Sequence, residues 1–192
     1  MFNRRHRLGR FLSKASLFRG LGFFSEKEFE PQSIFVFLKS IKKKLTIKKI
    51  AYEQSFNRHL FFLHLDKDVI KTEFTYFPFT ALKHNQTEYG VKVDSLLDIA
   101  VNKLFTIYQK PRVRDFIDLY LIIRKEHWPI NELINSAKIK FDWHVDPLQL
   151  GSQFMQSTAL KDYPRMIKEI SPKVWQDFFI KQARLLGKDI MR

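Results

Sequence analysis

The chain has 192 residues, of which 45% are hydrophobic and 28% charged, with 7 Pro and 6 Gly. That composition supplies a domain-sized core and excludes collagen-like, mucin-like and wholly disordered proteins. Cys is absent, which excludes disulfides, thiolate zinc sites and cysteine nucleophiles and fits a chain of the cytoplasm; Lys and Arg outnumber Asp and Glu 34 to 20, a net charge of +14.

Such a field draws polyanions, nucleic acid first among them, although an A+T-rich genome yields the same excess of Lys and Phe. The longest apolar runs, such as Leu60-Phe61-Phe62-Leu63, are strand-sized. No stretch is long enough for a transmembrane helix.

The first segment stands apart. No acidic residue occurs from Met1 to Ser25, whereas Arg4, Arg5, Arg7, Arg10, Lys14 and Arg19 are basic. A mitochondrial transit peptide, a nucleic-acid-binding arm and the damaged start of a larger domain all have that composition. Residues 1–24 are therefore set apart as a basic, atypical segment.

Regular patterning begins at residue 25. Ser25-Glu26-Lys27-Glu28 offers a cap, Pro31 suits a first helical turn, and Ile34, Phe35, Phe37, Leu38 and Ile41 recur at helical spacing until Lys42-Lys43-Lys44. Three segments rich in aromatic and β-branched residues follow: Leu45 to Phe56, His59 to Leu65 and Val69 to Phe77. The short link Asp66-Lys67-Asp68 predicts that the last two pair as an antiparallel hairpin. Gly90 to Val93 is a candidate short strand.

From residue 94 onward the pattern is helical. Asp94 or Ser95 caps a helix to about Tyr108, Pro111 opens another that ends near Lys125, and Pro129, Asp146 and Ser171-Pro172 open three more. Strands followed by helices predict an α+β fold, with a core over residues 25–93 and a helical part over 94–192.

Chemistry is sought where charge interrupts an apolar face. Lys103 has Ile99, Ala100, Thr106 and Ile107 three and four positions away, so it must snorkel, meet an anion or lose its charge. In the next helix, Asp115 and Asp118 lie on one face of an otherwise apolar run, Phe116 to Ile123. Asp118 needs a partner there, with Lys103 and Arg114 as candidates. The result is either a structural ion pair between two helices or a lysine and an aspartate at a polyanion site.

Along Lys71 to Pro78 the residues alternate, so Lys71, Glu73 and Thr75 share one face. An ordinary polar strand face has the same pattern. Phosphate loops of the G-x-x-x-x-G-K-[ST] type, G-x-S-x-G elbows and H-E-x-x-H pairs are all missing. His59 and His64 fall on opposite strand faces and the six histidines show no ligand spacing.

In this order the elements resemble the AbiEii/AbiGii family of nucleotidyltransferase toxins, which are built on the polymerase-β-like nucleotidyltransferase fold. The resemblance is carried by Val93-Asp94-Ser95-Leu96-Leu97-Asp98-Ile99-Ala100-Val101-Asn102-Lys103-Leu104 and by Arg114-Asp115-Phe116-Ile117-Asp118-Leu119-Tyr120. These are similar to the family's "ledlaamKl" and "RDfiDLy" helices. Lys71-Thr72-Glu73-Phe74 with Tyr76-Phe77-Pro78 resembles its "K-x-[DE]-F…yp" strand. Gly22 to Phe29, Asp162-Tyr163-Pro164-Arg165-Met166 and Trp175 with Phe178-Phe179 support the match, which covers roughly residues 20 to 190.

The resemblance implies a mixed or antiparallel sheet with flanking helices, and transfer of NMP from a nucleoside triphosphate to an RNA or protein acceptor under control of an antitoxin protein. It implies Mg²⁺ held by a D-x-D pair and a third carboxylate, here Glu73. By the same resemblance Lys103 holds nucleotide phosphate, with Lys71 and Arg114 as further phosphate contacts, and Asp118 and Asp115 position that lysine or the substrate. Where the family reads D-L-D-F-F, however, this chain reads Gly20-Leu21-Gly22-Phe23-Phe24, and no G-G or G-S pair precedes it. Either both aspartates have changed or the first twenty-odd residues derive from a shifted frame or wrong start; the acid-free composition before Ser25 favours the second. As written, the chain is expected to lack transfer activity, and a remnant that binds RNA or a partner protein through its basic surface is the alternative.

Overall fold

A computed structural model of the chain describes residues 2–3, 20–83, 86–88, 91–164, 166 and 169–190. The alternatives for the basic N-terminal segment fall largely on residues 4–19 and lie outside the described residues. Two compact units divide the described chain. The first takes residues 2–3, 20–80, 86–88 and 91–94, and the second takes 81–83 and 95 onward.

The first unit is a mixed sheet with one helix against it. Its strands are β1 (Phe2–Asn3), β2 (Gly20–Ser25), β3 (Lys49–Ser55), β4 (Arg58–His64), β5 (Val69–Tyr76), β6 (Gln86–Glu88) and β7 (Val91–Val93). They lie in the order β3-β4-β5-β2-β1-β7-β6. The pairs β3–β4, β4–β5, β1–β2 and β6–β7 are antiparallel, whereas β2–β5 and β1–β7 are parallel. The hairpin expected around Asp66-Lys67-Asp68 forms, with His64 opposite Val69.

Helix α1 (Pro31–Ser40) follows β2, with Pro31 in its first turn. Ile34 and Leu38, one turn apart, bury into a core with Phe61, Leu63 and Phe74 of the sheet. Phe23 stacks on Phe74 at 4.9 Å and Phe35 meets Phe61 edge-on at 4.9 Å. This apolar face of the sheet is the one opposite Lys71, Glu73 and Thr75.

Several boundaries differ from the sequence expectation. The first of the three expected strands begins at Lys49, not Leu45, because residues 41–46 turn after α1 and Thr46 takes a left-handed φ of 51°. Strand β2 crosses the boundary drawn at residue 24 and occupies the middle of the sheet. Of the strand expected at Gly90 to Val93, Val91–Val93 is present as β7 and Gly90 lies outside the described residues; β6, which no sequence signal marked, pairs with β7.

The second unit is helical: α2 (Leu96–Gln109), α3 (Val113–Glu126), α4 (Ile130–Phe141), α5 (Pro147–Met155) and α6 (Pro172–Ile190), with a single 3-10 turn at Gln156–Thr158. Ser95 caps α2 by accepting from Asp98 N and donating to Asp98 Oδ2, and Asp146 caps α5 by accepting from Leu148 N. The core combines Leu104 and Ile107 of α2 with Phe116, Leu119 and Ile122 of α3, Leu133 of α4, Phe154 of α5 and Trp175 and Phe179 of α6, each fully buried. Phe116 meets Phe179 at 4.8 Å and Trp175 at 5.9 Å. Among the described residues no helix is long and apolar enough to cross a membrane.

Candidate functional site

In the first unit the polar sheet face centres on Glu73. The parallel register places Gly22 beside Glu73 and Gly20 beside Lys71, so positions 20, 22, 71 and 73 share one face. On the other side, β4 sets Leu60 opposite Glu73 and Arg58 opposite Thr75. Arg58 reaches diagonally and donates through Nε to Glu73 Oε1 and through Nη2 to Oε2, both at 2.9 Å. Thr75 Oγ1 adds a bond to Oε1 at 3.3 Å. The Glu73 side chain is 4% exposed and that of Arg58 43%. The carboxylate raises the Arg58 pKa further, mainly through the hydrogen bonds. Lys71 contributes a cation over the Phe62 ring, 6.0 Å from its centroid.

This donor set does not fit a Mg²⁺ ion. The two register positions where the resemblance asks for carboxylates carry no side chain, and both Glu73 oxygens already accept from a guanidinium. Mg²⁺ needs near-octahedral oxygen ligation and gives up its water reluctantly. Among the described residues, no group of three or more His, Cys, Asp or Glu is placed to hold a metal. His59 accepts or donates at Nδ1 with the Tyr52 hydroxyl at 2.8 Å, an ordinary half-buried contact.

The second unit brings Lys103, Asp115 and Asp118 together. Lys103 Nζ donates to Asp115 Oδ1 at 2.7 Å and forms an ion pair with Asp118 Oδ2 at 2.5 Å. Both carboxylates are almost fully buried, and the lysine side chain is 17% exposed. Arg112 Nε donates to Asp115 Oδ2 at 2.8 Å, and Arg114 Nε lies 3.8 Å from Asp118 Oδ2. Burial pushes the Asp115 carboxyl upward, but Lys103 and Arg112 outweigh it and hold the group below its usual range. Asp115 therefore binds the lysine as closely as Asp118 does. Asp162 Oδ1 accepts from Val113 N, a carboxylate at the start of α3 where unpaired N–H groups favour an anion.

Four residues were not singled out from sequence: Arg58, Arg112 and the paired Asp98 and Lys140. Asp98 is fully buried and accepts from Lys140 Nζ, Ser95 Oγ and the Leu82 amide. Burial would raise its pKa, yet Lys140, Ser95 and Leu82 together lower it. This network ties α2 to α4 and to the chain just before it. Its geometry is structural.

The mixed sheet with its flanking helix and the helical C-terminal half define an α+β protein of the nucleotidyltransferase-like class. The family model described as "Nucleotidyl transferase AbiEii toxin, Type IV TA system" matches residues 22–188, and the chain belongs to this nucleotidyltransferase toxin family. Two solved structures share the fold. A protein from H. pylori described as a candidate nucleotidyltransferase is 15% identical with a TM-score of 0.58, over 100% of this chain and 88% of that one. JHP933 from Helicobacter pylori is also 15% identical, with a TM-score of 0.52, over 92% of this chain and 78% of that one. No curated protein matches.

Proposed function

We propose that this chain is a nucleotidyltransferase-family toxin protein that has kept the fold and its phosphate-directed cations but not metal-dependent transfer. The observation that carries this reading is the register of β2 on β5. Gly20 and Gly22 stand beside Lys71 and Glu73, and Arg58 occupies both Glu73 oxygens. Nucleotidyl transfer depends on neutralising charge that develops at phosphorus, which two metal ions and their carboxylates normally do. One arginine-bound carboxylate is a poor substitute.

What remains is a binding protein. Lys103 is held by Asp115 and Asp118 in a role that suits positioning a lysine toward nucleotide phosphate, with Arg114 of the same unit as a further contact; in the sheet unit, Lys71 is a separate candidate phosphate contact. The net charge of +14 supports an RNA or an acidic partner surface as the second ligand. The family description names a type IV toxin–antitoxin system, so a cognate antitoxin protein is a proposed partner, and the cytoplasm is the proposed site of action.

The test is incubation of the purified chain with each labelled nucleoside triphosphate, Mg²⁺ and total RNA. No label is expected on RNA or protein. Metal-dependent label that disappears in Glu73→Ala would overturn the reading and make the chain an active transferase.

A further inference from the structure

The end of the sheet at the β3–β4 turn holds a cavity of about 370 Å³. It lies on the α1 side of the sheet: His59, which lines it, shares a strand face with Phe61 and Leu63 of the core, opposite Arg58. Glu28 and Glu30, just ahead of α1, form one wall. Both are exposed, and neither carboxylate has an ion pair among the described residues. In a chain with 34 basic and 20 acidic residues, two unpaired carboxylates side by side need a reason. Capping is not that reason, because Glu30 is the N-cap residue of α1 and its side chain makes no cap hydrogen bond.

The other polar walls offer acceptors. Asn57 commits Nδ2 to Tyr76 O at 2.8 Å, and Gln54 turns Nε2 to Phe56 O at 3.4 Å. The Tyr52 hydroxyl stands outside the cavity. It donates to Gln54 Oε1 at 3.3 Å and therefore accepts from His59 Nδ1 at 2.8 Å. That tautomer makes His59 Nε2 an acceptor. The histidine is 9% exposed, and Nε2 has no hydrogen bond among the described residues.

The remaining walls are aromatic. Phe29 meets the His59 ring edge-on at 5.5 Å, and Phe56 stands at the tip of the turn, 93% exposed. Phe56 also has a φ of 52°, a left-handed backbone that a bulky side chain rarely takes. Neither core packing nor turn geometry asks for a phenyl ring there.

We propose that this cavity binds a guanidinium group, either an arginine side chain of a partner protein or a free guanidinium compound. A guanidinium has five N–H donors and no acceptor, which matches two carboxylates and an imidazole nitrogen. Its planar cation stacks on aromatic faces, as Phe56 and Phe29 allow. The volume is at the low end for ligand cavities, roughly 300–1,000 Å³, and suits one such head with part of its stem. The site is on the sheet face opposite Glu73 and does not depend on whether the chain transfers nucleotides.

An NMR titration of the ¹⁵N-labelled full chain tests this with three probes: a blocked alanine peptide with a central arginine, the same peptide with citrulline, and agmatine. Saturable shifts of the Phe56 and Asn57 amides and of the His59 ring are expected with at least one cationic probe. Citrulline, which has the same shape without the charge, is expected to bind at least tenfold more weakly. Tighter binding of the arginine peptide assigns the site to a protein ligand, and tighter binding of agmatine assigns it to a free compound. The double variant Glu28→Gln with Glu30→Gln alters exposed side chains only and is expected to weaken binding by roughly tenfold or more, the worth of a charge-assisted contact. Phe56→Asn suits the left-handed backbone and removes the ring, and is expected to weaken binding by roughly threefold. The amide spectrum of each variant confirms that it is folded. No saturable shift with either cationic probe, equal binding of the citrulline peptide, or binding unchanged in either variant would each overturn the proposal.

Discussion

Replacing Lys103 by Met is expected to destabilise the chain by about 3–5 kcal/mol, the cost of leaving buried charge uncompensated. Lys103 serves two carboxylates at once, Asp115 at 2.7 Å and Asp118 at 2.5 Å, and their side chains are 1% and 4% exposed. Arg112 continues to serve Asp115, whereas Arg114 at 3.8 Å is a weaker partner for Asp118. Most of the loss should therefore come through Asp118. Denaturant unfolding of the single variant and of the triple variant Lys103→Met, Asp115→Asn, Asp118→Asn separates charge from packing. The triple variant should recover much of the lost stability, because neutral amides do not need the ammonium. A triple variant as unstable as the single one would mean that the lysine stem, not its charge, matters to the helix pair.

Gly22→Asp is expected to cost a similar amount, about 3–5 kcal/mol at neutral pH, by placing an unpaired carboxylate in a buried position. Gly22 is buried and its register partner is Glu73, whose oxygens are already committed to Arg58. Two carboxylates on adjacent positions of one face raise the pKa of the added group. A raised folded-state carboxyl pKa means that the penalty is full at neutral pH and shrinks as pH falls through that value. Gly22→Asn has the same shape without charge and should be tolerated better. Equal loss in Asp and Asn, unchanged by pH, would assign the effect to space and not to the neighbouring glutamate.

The parts legible in the sequence were those set by short-range rules. The link Asp66-Lys67-Asp68 marked one hairpin, but its register, His64 opposite Val69, takes Leu65 into the loop as well. Pro31, Ser95, Asp146 and Pro172 marked helix starts because capping and missing N–H groups are local properties. Lys103 and Asp118 were legible because charge interrupting an apolar helix face demands a partner. Arg58 was within reach of the same reasoning. Pairing His64 with Val69 puts Arg58 opposite Thr75, one diagonal step from Glu73, but the residue looked like the ordinary polar start of a strand. Asp98–Lys140 was not legible, since it joins helices 42 positions apart in sequence whose packing no local pattern specifies. Strand β6 and the turn at residues 41–46 were missed for a similar reason: pairing and a left-handed Thr46 overrode local propensity.

The central claim is that Glu73 serves an arginine and not a metal ion. Titration of the purified chain with Mn²⁺, followed by the electron paramagnetic resonance signal of the free ion, reads this without any requirement for activity. The free-ion signal is expected to rise in proportion to added Mn²⁺ from the first addition, identically for the native chain and for Glu73→Gln. Stoichiometric uptake by the native chain that vanishes in Glu73→Gln would contradict the account.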